Sequence, residues 1–133
     1  MTAARRRQAA RTGLALAAVA LAGLAFKAYD GPGATWVAGR LAGAAYVAGW
    51  CLAARLIFAR AAPGRIAVVV CTATVGLEFL QLWHPAWLEV LRRPWVGQVL
   101  LGSSFDPLDL PFYPLGALAG WGLLRRLDDA PSA

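Results

Sequence analysis

The side chains of this sequence most able to do chemistry are ionisable and amide groups embedded in apolar stretches. Glu78 and Gln81 come late in one apolar run, Arg40 lies inside another, and Asp109 lies where the chain re-enters apolar sequence. A charged group at membrane depth is costly, so each is a functional-site hypothesis by default. Such groups could bind the polar head of an amphiphile, pair with one another, or act together as an acid and a base.

The composition indicates what surrounds these groups. The 133 residues are 59% hydrophobic and 15% charged, with a mean hydropathy of +0.56. Soluble domains carry about one quarter charged residues, so this composition indicates a bilayer as the solvent. The net charge of +6 comes from arginines that flank the apolar runs. They do not form the basic stripe of a nucleic-acid-binding protein, so we expect no nucleic-acid partner.

The apolar runs predict an all-α membrane protein with four transmembrane helices. The predicted helices are about 13–29, 35–58, 66–83 and 107–124. They form a single transmembrane domain, 13–126, between a basic tail, 1–12, and a disordered tail, 127–133. A secretory signal peptide would also start basic and turn apolar. The first run continues nearly to spanning length, which favours a retained helix.

The segment between helices 3 and 4 has a different character. Residues 84–105 mix tryptophans, prolines and arginines, a composition typical of short amphipathic pieces at a membrane surface. Arginines cluster before the first run, in the loop 59–65 and after the fourth run. The positive-inside rule therefore predicts that both termini are cytoplasmic.

Helix geometry places three charged residues in one layer near the outer surface. Arg40 and Glu78 each lie roughly 8–9 Å below the outer ends of their helices, and Asp109 starts the fourth helix. We therefore expect Arg40 to contact Glu78 directly. A pair that only locks helix packing explains these two residues equally well. Capping of the fourth helix would account for Asp106 and Asp109.

The third helix carries a polar stripe. Cys71, Thr74, Glu78 and Gln81 recur at spacings that share one helix face, which should look at protein or water. The candidate binding residues, with the catalytic ones unassigned, are Arg40, Glu78, Gln81, His84, Arg92, Asp109 and Tyr113. The only histidine has no second ligand nearby, and no phosphate loop or dinucleotide fingerprint is present. We therefore expect no metal and no other cofactor.

Two glycine pairs could bring helices close together. Gly39 with Gly43, and Gly116 with Gly120, have the GxxxG spacing that lets another helix approach. Either face could join two copies of the chain or a partner subunit.

Three stretches resemble a known family. They are Gly76 to Leu88 (GLEFLQLWHPAWL), Leu101 to Asp109 (LGSSFDPLD), and Tyr113 with Gly116. They resemble domain-of-unknown-function family 2809, which comprises small bacterial multi-pass membrane proteins, and more distantly the VanZ-like proteins. The resemblance implies a helical bundle in the bacterial cytoplasmic membrane with an extracytoplasmic polar site. It implies no reaction.

Three functions follow from these features. The first is binding of an amphiphile or lipid-linked envelope intermediate in an outer-leaflet polar pocket. The tryptophan-rich segment would gate access, and Arg40, Arg92 or Arg93 would meet an anionic head group. The second is a structural or accessory subunit of a membrane complex. The third is a membrane enzyme that uses Glu78 and Asp109 as an acid–base pair.

Overall fold

Helices make up the regular structure of the residues that this computed structural model describes, 1–102 and 104–131. The long helices are α1 (Ala3–Ala28), α2 (Ala34–Ile57), α3 (Pro63–Leu80) and α6 (Phe112–Asp129), and the short ones are α4 (Ala86–Arg92) and α5 (Trp95–Leu101). A π-helical turn, Val37–Leu41, lies within α2, and a 3-10 turn, Pro107–Asp109, precedes α6. The described residues contain no strand, so the predicted all-α class is confirmed.

Three helices have the length and hydropathy of membrane spans. They are α1, α2 and α3. The fourth long helix, α6, has 18 residues but ends in a charged turn that contains Arg125, Arg126, Asp128 and Asp129. The protein thus has the helices of a membrane protein. The fourth crossing stays a prediction.

The first helix begins earlier than expected. The segment 1–12, predicted as a basic tail, is helical from Ala3 onward. The hydroxyl of Thr2 caps the helix by accepting the backbone N–H of Arg5 at 3.4 Å. Alanine and arginine are strong helix formers, and no proline interrupts them before Gly13. The basic residues therefore extend α1 rather than precede it.

The C-terminal segment 127–133 was predicted to be disordered, but α6 continues to Asp129. The carboxylate of Asp128 accepts hydrogen bonds from the amide of Gln8 at 2.6 Å and from Arg55 at 3.0 Å. Arg55, in the last turn of α2, is buried where it forms this pair. The last two residues lie outside the described part of the chain.

The fourth helix begins at Phe112 rather than at position 107. A continuous helix from Pro107 would need the backbone N–H of residue 111, and Pro111 has none. The expected capping role of Asp106 is therefore exerted on the 3-10 turn, where its Oδ1 accepts the N–H of Leu108 at 2.9 Å. The chain between α5 and α6 is left free of the helix and can approach α2 and α3.

The second helix is central to the bundle. It packs against α1, α6 and α3, and α3 also packs against α6. The buried core consists of Val47, Cys51, Leu52, Ile66, Ala67, Tyr113, Ala117 and Leu124. A Cβ at Gly116 would overlap the backbone of Ala44, and one at Gly120 would lie 2.7 Å from Cys51 Cβ. This glycine face is used inside the chain, between α6 and α2.

The other glycine pair also faces the chain itself. A Cβ at Gly39 would lie 3.6 Å from Asp109 Oδ1, and one at Gly43 would lie 3.3 Å from the ring of Tyr113. The small residues therefore make room for two candidate site residues.

Candidate functional site

Arg40 lies in the π-helical turn of α2, a local widening that is frequent at functional sites. Its side chain is 12% exposed. Its Nη2 lies 3.3 Å from Asp106 Oδ2, and its Nε lies 3.7 Å from Asp109 Oδ1. The guanidinium is thus held by both aspartates of the segment that leads into α6.

Glu78 is more deeply buried, with 2% of the residue exposed. Its Oε1 accepts the backbone N–H of Asp106 at 2.9 Å, and its Oε2 accepts the hydroxyl of Tyr113 at 2.5 Å. Each carboxylate oxygen therefore has a donor, which offsets the cost of removing it from water. The acid–base alternative for Glu78 and Asp109 stays a prediction.

The predicted direct contact between Arg40 and Glu78 is wrong. Among the residues the structure describes, Asp106 connects them, because its N–H binds Glu78 and its carboxylate binds Arg40. The depth argument correctly predicts that Arg40, Glu78 and Asp109 meet in one cluster. It could not anticipate that the segment before α6 would insert between the two helices.

A cavity of about 650 Å³ lies beside this cluster, and we call it the cleft. Its lining comes from α1, α2 and α3, from α5 and the residues that follow it, and from Tyr113 of α6. The α2 wall is built largely of small residues, which include Gly39, Ala42, Gly43, Ala45, Gly49 and Ala53. Because glycine has no side chain and alanine has a single methyl group, the space between the helices stays open. The lining is mostly apolar.

The polar stripe of α3 faces the protein interior, as predicted, and Cys71, its first member, is half-buried against the core rather than lining the cleft. Thr74, Glu78 and Gln81 are all buried and all line the cleft. Gln81 is 8% exposed, and its Nε2 donates to the carbonyl of Leu101 at 3.3 Å. A side chain at Gly102, where φ is 68°, would overlap that amide. The chain can therefore turn tightly against Gln81 only because glycine occupies this position.

A comparison with protein-family models identifies the family of this chain. A model described as "Protein of unknown function (DUF2809)" matches residues 33–117. The chain belongs to the DUF2809 family. The matched region spans α2, α3 and the whole Arg40–Glu78 cluster. No curated protein and no solved structure gives a significant match, and the VanZ-like resemblance stays a prediction.

Two candidate residues of this DUF2809 member, His84 and Arg92, lie in a separate network. Arg92 is 4% exposed and donates to the carbonyls of Leu80 at 3.0 Å and Trp83 at 2.9 Å. It therefore caps the C-terminal end of α3, whose last carbonyls lack helical partners. Its terminal nitrogens are engaged by the chain, so Arg92 does not present them to a head group.

The same network contains Glu89, which the sequence did not single out. Its Oε1 lies 2.9 Å from His84 Nδ1 and accepts from Arg92 at 2.8 Å. The hydrogen bond with His84, and then the one with Arg92, lower the pKa of this exposed carboxyl. His84 thus has a carboxylate partner at the surface.

Lys27 and Asp106 are the site residues that sequence reasoning missed. Lys27 lies in the last turn of α1 and lines the cleft, and Asp106 joins Arg40 to Glu78. The sequence indicates only a capping role for Asp106 and gives no role to Lys27 in the site. Their roles depend on neighbours that are distant in the sequence.

Proposed function

We propose that this DUF2809 member is a multi-pass protein of the bacterial cytoplasmic membrane that binds an amphiphile in the cleft. The observation that carries the proposal is the cleft itself. Its volume of about 650 Å³ falls within the ~300–1,000 Å³ of typical small-molecule sites. Its walls are largely apolar, and its charged lining residues lie near the helix ends.

The connectivity of the chain supports a polar and an apolar end. α1 ends, α2 begins and α3 ends on the same side, because α1 and α2 are joined by a short turn and α3 runs back along them. Lys27 and Gln81 line the cleft at this end, and Leu16 and Gly49 line it further in. We call the first the polar end. This layout matches a ligand with a polar head and an apolar tail.

The depth of the cleft is that of one leaflet. Leu16 and Lys27 are eleven residues apart on α1, which is roughly 16 Å along the helix. The hydrocarbon core of a bilayer is ~30 Å thick, so the cleft would accept the tail of a lipid from one leaflet.

The short helix α5 lies along the cleft and is bound to both α2 and the end of α3. The hydroxyl of Tyr46 donates to the carbonyl of Leu100 at 2.8 Å, and Gln81 donates to that of Leu101. Trp95 of the same helix lines the cleft and is exposed on its other side. We propose that α5 closes one side of the cleft and controls access to it.

Filling the cleft tests the proposal. A Cβ at Gly49 would lie 3.8 Å from Val19 Cγ1, an ordinary contact, so the further carbons of Gly49→Leu should extend into the cavity. We expect purified Gly49→Leu to retain about tenfold less lipid than the parent, since losing two buried methylenes costs roughly that factor. Mass spectrometry of lipid extracted from the detergent-purified protein is the measurement.

The matched control is Gly76→Leu. Gly76 lies on the exposed face of α3, does not line the cleft, and would have nothing within 4 Å of a new Cβ. It should retain lipid like the parent, and both variants should stay folded because leucine favours helix more than glycine does. Equal lipid retention by Gly49→Leu and Gly76→Leu would remove the binding proposal.

The proposed topology makes a separate prediction. Single cysteines placed at Asp30 and Ala86, both exposed, should react with a membrane-impermeant reagent in intact cells. One placed at Gly64, in the first turn of α3, should react only after the cells are permeabilised. Both native cysteines, Cys51 and Cys71, are replaced by alanine in all three, so that the new cysteine is the one that can react. Labelling of the Gly64 variant in intact cells would contradict cytoplasmic termini.

A further inference from the structure

The net charge of +6 is concentrated at one end of the bundle, which we call the basic end. α1 begins, α2 ends and α6 ends there, because Asp128 of α6 contacts Gln8 of α1 and Arg55 of α2. α3 begins there too, because only residues 58–62 separate it from α2. Nine of the 13 arginine and lysine residues lie at this end, with two of the seven acidic residues. The other end therefore carries a slight excess of negative charge.

Most of the positive charge at the basic end is accessible. Arg55 is buried and paired with Asp128, and Arg11 donates to the carbonyl of Pro131 at 3.4 Å. The other arginines of this end are all exposed, and they are Arg5, Arg6, Arg7, Arg60, Arg65, Arg125 and Arg126. The exposed guanidinium groups thus outnumber the carboxylates of the basic end, so this surface attracts anions.

Helix length places these arginines at the depth of lipid head groups. α1 has 26 residues and is roughly 39 Å long, whereas the hydrocarbon core of a bilayer is ~30 Å thick. Counted back from Lys27 at the opposite end, the ~20 residues that cross the core reach Arg7. Arg5 and Arg6 therefore lie beyond the core. Arg60 lies in the loop between α2 and α3, at the same end of the bundle.

Aromatic side chains accompany the arginines. The guanidinium carbon of Arg125 lies 5.5 Å from the ring centroid of Trp121, which is exposed. A Cβ at Gly64 would lie 4.0 Å from Trp121 Nε1, so this pair stands beside the first turn of α3, which also carries Arg65. Phe58, at the end of α2, is exposed as well. Tryptophan prefers the headgroup layer of a membrane, where arginines can reach lipid phosphates.

We infer that the basic end binds the head groups of anionic phospholipids in the leaflet that surrounds it. The proposed topology makes this the cytoplasmic leaflet. Guanidinium groups form paired hydrogen bonds with phosphate oxygens, and clusters of ~4–8 basic residues next to a membrane span attract anionic lipid. The arginines are spread over the ends of α1, α3 and α6 at headgroup depth, a layout that favours surrounding lipids over a nucleic acid or an acidic protein. The inference does not depend on the cleft, whose polar end lies at the other end of the bundle.

Two phospholipids with equal tails test this inference. Phosphatidylglycerol is anionic, whereas phosphatidylcholine is zwitterionic. Native mass spectrometry of the purified full-length protein, incubated with an equal mixture of the two, measures the retention of each. We expect phosphatidylglycerol to exceed phosphatidylcholine about twentyfold, the effect of two arginines near a charged surface. Raising ammonium acetate from about 0.1 M to about 1 M should remove most of this excess, because the Debye length falls from ~10 Å to ~3 Å.

Substitutions of single arginines locate the binding surface. Arg6→Gln and Arg65→Gln should each lower the phosphatidylglycerol excess about fivefold, and Arg65→Lys should preserve it because the charge is kept. The matched control is Arg93→Gln, an exposed position at the other end that does not line the cleft, and it should leave the excess unchanged. All these side chains are exposed, so the variants should unfold at the same temperature as the parent.

The outcomes separate this inference from the proposed function. Equal retention of the two lipids by the parent, an excess that persists at high salt, or an equal loss in Arg93→Gln would overturn the inference. Gly49→Leu should lower the total lipid retained without lowering the phosphatidylglycerol excess. Loss of the excess in Gly49→Leu would place the selectivity in the cleft and overturn the inference. If Gly49→Leu releases no lipid while the excess persists, the cleft proposal fails and the inference about the basic end stands.

Discussion

Replacing Arg40 with methionine is expected to lower the free energy of unfolding by about 3 kcal/mol. The guanidinium is mostly buried and is shared between Asp106 and Asp109. Its removal leaves two carboxylates beside the already buried Glu78 without their cation. Equilibrium unfolding in mixed micelles measures the loss. Arg65→Met, at an exposed position of α3, is the matched control and should change stability by less than ~0.5 kcal/mol.

A double-mutant cycle identifies the partner of Arg40. Arg40→Met combined with Asp109→Asn should lose less stability than the sum of the single changes, with a coupling of about 1 kcal/mol or more. The coupling of Arg40→Met with Glu78→Gln should be smaller, because Glu78 is bound to Tyr113 and to the backbone of Asp106. If Glu78 shows the larger coupling, the guanidinium pairs with it directly and the observed arrangement is wrong.

Leucine at Gly116 is expected to have a comparably large effect. Even a Cβ there would overlap the backbone of Ala44, and backbone cannot turn aside as a side chain can. α6 would have to move away from α2, and Tyr113 would move with it away from Gly43. We expect Gly116→Leu to lose about 3 kcal/mol, at the upper end of the cost of overpacking a core. Thermal unfolding in detergent measures the loss.

Gly122 provides the control on the same helix. It lies six residues further along α6, and a Cβ there would have nothing within 4 Å. Gly122→Leu should match the parent or exceed it in stability, since leucine favours helix over glycine. If Gly116→Leu is as stable as Gly122→Leu, the close approach of α6 to α2 does not exist in the protein.

These variants separate packing from binding. Arg40 and Gly116 hold the α2–α6 side of the bundle together, whereas Gly49 lines the cleft. We therefore expect the Arg40 and Gly116 variants to lose stability and the Gly49 variant to stay folded. This is the pattern expected of a binding site built on a rigid scaffold.

Much of this protein follows from its sequence alone. The apolar composition and the length of the runs predict helices in a bilayer, and three of the long helices have those properties. The periodicity of α3 predicts that Thr74, Glu78 and Gln81 share an inward face, because side chains three and four residues apart lie on one side of a helix. Depth along each helix also predicts the layer where Arg40 and Asp109 meet.

Tertiary structure alone decided which of these groups touch. Sequence spacing gives the height of a residue along a helix and its angle relative to others on that helix, but not how two helices are rotated toward each other. Arg40 finds Asp106 across 66 residues, and Glu78 finds Tyr113 across 35. The first contact exists because Pro111 delays the start of α6 to Phe112 and frees the preceding segment to insert. The cleft likewise arises only where small α2 residues face α1 and α3, since an empty space is a property of packed surfaces and not of any one of them.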